Sequence, residues 1–572
     1  MTAPPPDSDP IALDPITLEI VLNALRSVTD ECFAALMKSA YSTNIKERHD
    51  HSTTIMDRHG RLVVQAHQSL PIHLASMWGL MEALLARYPK DQIDEGDLFV
   101  ANDPFVAGGT HLPDVNMAMP VFAGGELIAF VCNIAHHADI AGAAPGSMAG
   151  GLSEIYQEGL RIPVLKLFRR GELQQDLLDL LLLNVRVPQE RRGDYFAQIA
   201  AARLGVRRLE EVVAHHGKAT VLAAGAAIIA RTEQRMRDAI RAIPDGVYPF
   251  EDVMDGDGID AHDIPIRLRV EVAGEHIRFD FAGTAPQVPG SINVTLNATV
   301  AAVGYALKAL LDPEAPNNQG MLDVLEIAAE PGTLVNAVFP AAVSSRAHTS
   351  QRIIDVALGA LAPALPERAV AAANGANSMA VFAGTDARTG RPFVYLETLG
   401  GGMGGRPMKD GKDGVQVGIT NTSNLPVEAI ELEYPLLVEE YSLIPDSGGA
   451  GRHRGGLGLR RVVRPLGQSC IFNGVGERFR HRPWGLFGGG PGASGRFLLV
   501  EPDGSRRRLP DKPGEVRLGP DQALVVETPG AGGWGAPAER SAEAVLEDRT
   551  SGKFSETFLA EHYGDRGGRR SD

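Results

Sequence analysis

Two histidines and an aspartate, His111, Asp114 and His136, fall within 26 residues of one another. They lie in Ala101-Asn-Asp-Pro-Phe-Val-Ala-Gly-Gly-Thr-His-Leu-Pro-Asp-Val115 and Asn133-Ile-Ala-His-His-Ala-Asp-Ile-Ala-Gly142. Two imidazoles and a carboxylate give a divalent cation three protein ligands and leave positions open, which suits a catalytic site better than a structural one. Nitrogen and oxygen donors fit zinc, manganese or iron about equally, and the lack of nearby thiolates disfavours a structural zinc. On spacing alone, ordinary hydrogen-bonding roles compete with this reading. Asn102 and Asp103 upstream, and His137 and Asp139 downstream, supply partners that could orient bound imidazoles. His137 and Asp139 are therefore the candidate catalytic residues, as orienting groups or a proton relay. Asp50, in the charged segment Asn44-Ile-Lys-Glu-Arg-His-Asp-His-Ser52, would add a fourth ligand if that segment lies beside residues 102–114.

The elements that must hold these residues can be read from periodicity. Asp14-Pro15 reads as the cap and first residue of a helix, followed by Val21, Leu25, Val28, Cys32 and Leu36 on one face. Ser52–Met56 and Arg61–Gln65, around a turn at Asp57–Gly60, read as a hairpin. A helix is expected over Met77–Tyr88 and a short strand over Asp97–Ala101, leading into the ligand-bearing loop. A second hairpin turns at Gly124-Gly125, and its returning strand, Leu127–Ile134, delivers His136. The proline after Leu112 keeps that residue out of helical geometry. A tight turn, not a helix, must therefore bring His111 and Asp114 together.

Two Ala-rich helices are expected over Tyr195–Ile243, strands over Ile266–Val272 and Ile277–Phe281, and helices near Thr299–Leu311 and Gln351–Leu361. Beyond about residue 400 glycine dominates, with short strands at Cys470–Phe472 and Arg496–Val500. The expected fold class is α+β and multi-domain, with mixed sheets, helical segments and a β- and Gly-rich C-terminal part. The expected divisions are a disordered leader 1–14, an N-terminal α+β metal-binding domain 15–245, a central α+β domain 246–400, a Gly-rich β-dominated domain 401–552 and a flexible tail 553–572.

Composition narrows the function classes. At 572 residues the chain exceeds a single core. A net charge of −16 argues against nucleic-acid or anionic-membrane partners. No apolar run reaches the roughly 18–20 residues that span a bilayer, and the N-terminus lacks signal-peptide features. Three scattered cysteines suit a reducing compartment, so a cytoplasmic location is expected. Neither a phosphate-binding Gly-x-x-x-x-Gly-Lys-Ser/Thr loop nor a Gly-x-Ser-x-Gly elbow occurs. The run Gly400-Gly-Gly-Met-Gly-Gly405 reads as close packing.

Several longer motifs carry a family resemblance. They include Asn44–Ser52, Gly96-Asp-Leu-Phe-Val-Ala-Asn-Asp-Pro104, Gly109-Thr-His-Leu-Pro-Asp114 and Glu154-Ile-Tyr-Gln-Glu-Gly-Leu-Arg-Ile-Pro163. Asn421-Thr-Ser-Asn-Leu-Pro-Val-Glu428, Asp446-Ser-Gly-Gly-Ala-Gly-Arg-His-Arg-Gly-Gly456 and Thr528-Pro-Gly-Ala-Gly-Gly-Trp-Gly535 extend the set. From about Pro15 to about Pro537 the chain resembles the hydantoinase B/oxoprolinase family, related to subunits of acetone and acetophenone carboxylases.

The resemblance implies a catalytic metal on His111, Asp114 and His136, with Asp50 a further ligand. It also implies a hetero-oligomer with a hydantoinase A-type subunit that binds and uses ATP. The implied activity is ATP-dependent opening of a small cyclic amide, such as a hydantoin or 5-oxoproline. A ketone carboxylase subunit and a non-catalytic scaffold are the alternatives. One departure stands out: the family has Arg-Arg-Asp-Phe-Ser where this chain has Arg48-His-Asp-His-Ser52. His51 therefore leaves metal preference and pocket polarity near Asp50 open.

Overall fold

The structure, a computed structural model, describes residues 13–375 and 377–564. Most of the leader lies outside these residues. Asp14 caps the first helix, Pro15–Ser39, by accepting from the amides of Ile16 and Thr17. The sheet that follows has seven strands: β1 His51–Asp57, β2 Leu62–Gln65, β3 Leu98–Ala101, β4 Asp114–Ala123, β5 Glu126–His136, β6 Leu165–Arg169 and β7 Glu172–Leu173. Their spatial order is β2-β1-β5-β4-β3-β6-β7, and every neighbouring pair is antiparallel. Both expected hairpins are present, and the second turns on Gly124 and Gly125, which have positive φ.

Helices cover both faces of this sheet, so its strands are buried on both sides. Ile55, Val63 and Val131 pack with Val21, Leu25 and Cys32 of the first helix and with Leu209 and Ile228. Their sequence neighbours Met56, Leu62 and Cys132 point the other way, onto Met77, Leu80 and Leu84. Side chains in a strand alternate between faces, so one residue of register decides which layer each meets.

Several helices start earlier than the sequence reading has them. The helix expected from Met77 begins at Pro71, with proline in the first turn. The helix expected from Gln351 begins at Arg346 and runs to Leu361, and all its residues are buried. Its first turns, Arg346 to Arg352, are mostly polar residues that are nonetheless buried, so an apolar pattern marks only its second half. The Ala-rich region is two helices, Pro188–His216 and Lys218–Ile240, broken at Gly217. No single helix among the described residues is long and apolar enough to cross a membrane.

A second sheet of four strands, Leu325–Ala328, His276–Asp280, His262–Ala273 and Gly246–Gly256, packs with the helices Leu296–Leu311 and Arg346–Leu361. Two further sheets, of four and five strands, lie among the Gly-rich segments beyond Ser378. The α+β class holds, with several separate sheets. Gly404 shows what the glycines do: an added Cβ would lie 1.8 Å from the carbonyl oxygen of Ala371. The tail expected to fray after about 553 instead holds a helix, Glu556–Tyr563. Leu559 and Tyr563 bury themselves with Phe554 and Leu457, and that apolar contact holds the segment down.

Candidate metal centre

Strand pairing builds the site. Asp114, the first residue of β4, lies directly opposite His136, the last residue of β5. The turn before β4 brings His111 Nε2 to 3.0 Å from Asp114 Oδ1. One donor atom from each of His111, Asp114 and His136 lies within 4.8 Å of the others, and all three residues are buried. His111 Nε2 and Asp114 Oδ1 have no hydrogen-bond partner. Orphaned buried polar atoms are costly, and two that face each other at this spacing suit donors held about 2.0–2.2 Å from one ion. The residues present therefore fit a divalent cation.

The surroundings prepare these donors. His111 Nδ1 lies 2.9 Å from the carbonyl oxygen of Ser344 and donates to it, which leaves the Nε2 lone pair free. Asp114 Oδ2 accepts from Arg346 Nη2 at 2.6 Å, so Oδ1 is the oxygen left for a metal. Burial by itself raises the Asp114 carboxyl, but His111 and Arg346 beside it outweigh burial and hold it well below the usual range. Burial, with the Arg346 charge added, lowers His111; burial, with His111 added, lowers His136 well below its ordinary value. Burial thus favours the neutral form of both rings, the form that metal ligation requires.

His136 has one further constraint. Asn44 Nδ2 lies 3.0 Å from His136 Nδ1, while Asn44 Oδ1 accepts from Arg48 Nη1 at 2.9 Å. That orientation makes Nδ1 an acceptor. Ligation through Nε2 requires Asn44 turned end for end, its carbonyl accepting from Nδ1–H.

Asp50 is close but outside the group of three. His73 Nε2 bridges the gap, 3.7 Å from both Asp50 Oδ1 and Asp114 Oδ1. Ser52 Oγ accepts the Leu70 amide and faces His73 Nδ1 at 2.9 Å, so its own hydrogen is free for that nitrogen. The His73 Nε2 is turned toward the two carboxylates. Burial raises the Asp50 carboxyl, against the lowering effect of Arg48 and His73.

Sequence reasoning missed His73, Arg346 and Ser344. His73 carried a signal in Leu70-Pro71, a helix start just before it. For Arg346 and Ser344 the polar run Ser344-Ser-Arg-Ala-His-Thr-Ser350 gave none.

The candidate catalytic residues His137 and Asp139 have other partners. His137 follows His136 in the chain and so faces the opposite side of the sheet. Its Nε2 meets Gln198 Oε1 at 3.0 Å, and its ring packs 4.7 Å from that of Tyr195. Asp139 accepts from Arg186 Nη1 at 2.9 Å and from the amides of Ala141, Gly146 and Arg186. Neither orients His111 or His136, which are oriented by Ser344 and Asn44. Asn102 and Asp103 likewise brace the loop, through Leu112, Leu160 and Ile162 and through Arg161. His51 also points away from Asp50. It stacks on Phe33 at 4.0 Å, meets the Phe33 carbonyl oxygen at 3.1 Å, and is lowered by burial to about 3. The ring thus packs on Phe33 and adds no polarity beside Asp50.

The model of the hydantoinase B/oxoprolinase family matches residues 14–537. The chain belongs to this family. It is 33% identical over 567 residues to the B-type subunit of a putative D-/L-hydantoinase from Pseudomonas sp. strain NS671, covering 96% of this chain and 95% of that one. The crystal structure of ATP-dependent caprolactamase from Pseudomonas jessenii aligns with a TM-score of 0.90 at 29% identity, covering 97% and 96%. A nucleotide-free acetone carboxylase structure has the same fold, with a TM-score of 0.88 at 20% identity, covering 96% of this family member and 79% of that chain.

Proposed function

We propose that this family member is the metal-dependent, ring-opening subunit of an ATP-dependent cyclic amidase that works with an ATP-binding partner of the hydantoinase A type. The observation that carries the reading is the buried, orphaned pair His111 Nε2 and Asp114 Oδ1 beside His136. The names of the hydantoinase and caprolactamase relatives support the substrate class and a second subunit.

An amide carbonyl is a poor electrophile. Phosphorylation of its oxygen in the partner makes the ring carbon open to attack by water. The ring nitrogen then leaves as the protonated amine, and the remaining acyl phosphate takes a second water to give carboxylate and phosphate. A divalent cation at this site supplies Lewis acidity, which polarises a carbonyl or makes water acidic near neutrality. His111, Asp114 and His136 hold that cation, with Asp50 the proposed fourth ligand. Arg346 keeps Asp114 ionised, Ser344 fixes the His111 ring, and His73 sets its Nε2 between the two carboxylates. Burial of all these groups excludes bulk water and strengthens each charge interaction.

The test is substrate-dependent ATP hydrolysis by the chain co-produced with its ATP-binding partner, over hydantoin, 5-oxoproline and caprolactam, with and without bicarbonate. A cyclic amide should stimulate ATP hydrolysis without consuming bicarbonate, and His111→Ala should abolish ring opening while the complex persists. Stimulation only by a ketone with bicarbonate would replace this reading with a ketone carboxylase. Near-normal turnover in His111→Ala would remove the metal from the mechanism.

A further inference from the structure

A second recess lies away from the metal centre. A cavity of about 480 Å³ opens between the helices Leu296–Leu311 and Arg346–Leu361 and the Gly-rich loop that contains Met403 to Lys409. Ile354 and Leu358, in its wall, stand 8 and 12 residues along the helix from Arg346. At the helical rise this is roughly 12–18 Å from the residue that pairs with Asp114. Gly404 lets the loop press against the Ala371 backbone and close one side of the cavity.

The lining has two characters. Tyr305, Ile354, Leu358, Val370, Met403 and Met408 make it apolar. Arg368, Arg406 and Lys409 line it too, and none of them is in an ion pair among the described residues. Arg368 Nη1 donates to the carbonyls of Leu310 and Leu311, and Arg406 Nη2 donates to the Asp410 carbonyl at 2.7 Å. Arg406 Nε is buried without any partner. Of the two lining carboxylates, Asp355 is taken by Arg478 at 2.6 Å, which leaves Glu367 alone against three cations. Asp410 nearby is held by Arg540. Three cations with one free carboxylate among them favour an anion, which guanidinium and ammonium groups bind through charge-assisted hydrogen bonds.

We propose that this cavity binds an amphipathic monocarboxylate, its apolar part against Ile354, Leu358 and Met403 and its carboxylate among the cationic side chains of Arg368, Arg406 and Lys409. Apolar walls with a few convergent polar groups are the usual make-up of a small-molecule site of this size. The assignment does not depend on the metal centre or on the amidase reading.

Calorimetric titration of the full chain with octanoate, 1-octanol and acetate tests it. Octanoate should bind saturably, about tenfold or more tighter than either fragment chemistry alone, since both halves of the site are then filled. Arg406→Gln should reduce the preference for octanoate over octanol by about threefold or more. Met408, 78% exposed at the mouth, can be changed without touching the core; Met408→Glu should weaken octanoate about threefold by repulsion and leave octanol unchanged. Absence of saturable octanoate binding, equal affinity for octanol, or an octanoate affinity unmoved by Met408→Glu would overturn the proposal. If Arg406→Gln does not fold, Met408→Glu decides by itself.

Discussion

Arg346 and Asp114, 232 residues apart in the chain, meet in the interior with Nη2 2.6 Å from Oδ2. The contact neutralises one carboxylate oxygen and leaves the other facing His111. Removing one partner of a buried pair strands the other charge, so Arg346→Met should lower stability by about 3–5 kcal/mol. Added zinc or manganese should restore part of the lost melting temperature, because the cation takes over the charge of Asp114. A melting temperature equal to wild type in metal-free buffer would show that the pair matters little.

Metal content is the most direct check on the centre. Plasma mass spectrometry of the purified chain should find about one zinc, manganese or iron per chain, since one three-ligand group is present among the described residues. The double variant His111→Ala/His136→Ala should lose it. Equal metal in both proteins would place the ion elsewhere.

His73 lies between Asp50 and Asp114 without being one of the three grouped donors. His73→Ala should weaken metal affinity about 10–100-fold, the usual effect of losing a group that orients ligands. Competition with a chelator measures this. Asp139→Asn serves as the contrast: it should reduce stability through Arg186 and leave metal affinity unchanged.

His51 gives a pH signature. Burial holds its folded-state value at about 3, against 6.5 for the free side chain. Above 6.5 the ring is neutral in both states and contributes nothing to the pH dependence. As pH falls below 6.5 the unfolded chain takes a proton that the native ring refuses, so stability falls until about pH 3. His51→Phe keeps the stacking on Phe33 and loses one hydrogen bond, costing about 1 kcal/mol at neutral pH. Its stability relative to wild type should then rise steadily as pH falls below 6.5. Parallel denaturation curves from pH 7.5 to 4.5 would contradict this.

Glu158 has the opposite sign. Burial, opposed by hydrogen bonds from Ser344, raises its carboxyl from 4.5 to about 8. Between those values the native state holds a proton that the unfolded chain has released, so stability is lost as pH rises from 4.5 to about 8. Glu158→Gln can keep the acceptor for the Ser344 amide, which Glu158 Oε1 now meets at 2.7 Å. Its advantage should grow across that window to a few kcal/mol, on the order expected for a shift of several units, and then level off. Urea denaturation at pH 5, 7 and 9 reads it directly.

The sequence by itself determined the family, the three grouped donors and the framework that carries them. Asp14-Pro15, the apolar stripe from Val21 to Leu36 and the glycines at 124 and 125 are local signals, and local signals survive in one dimension. The rule that strand residues alternate could also have separated His136 from His137, and Asp50 from His51, from the sequence alone. The tertiary structure decided the rest. His73 reaches the centre because its helix docks on the seven-stranded sheet, and Ser344 and Arg346 because the helix that starts at Arg346 is held by the second sheet. The first two turns of the helix that bears Arg346 are mostly buried polar residues, which an apolar pattern does not mark. Which oxygen of Asp114 stays free, and which ring nitrogen of His111, depends on partners more than 200 residues away. Contacts at that separation follow from the packing of whole layers and are not encoded in local spacing.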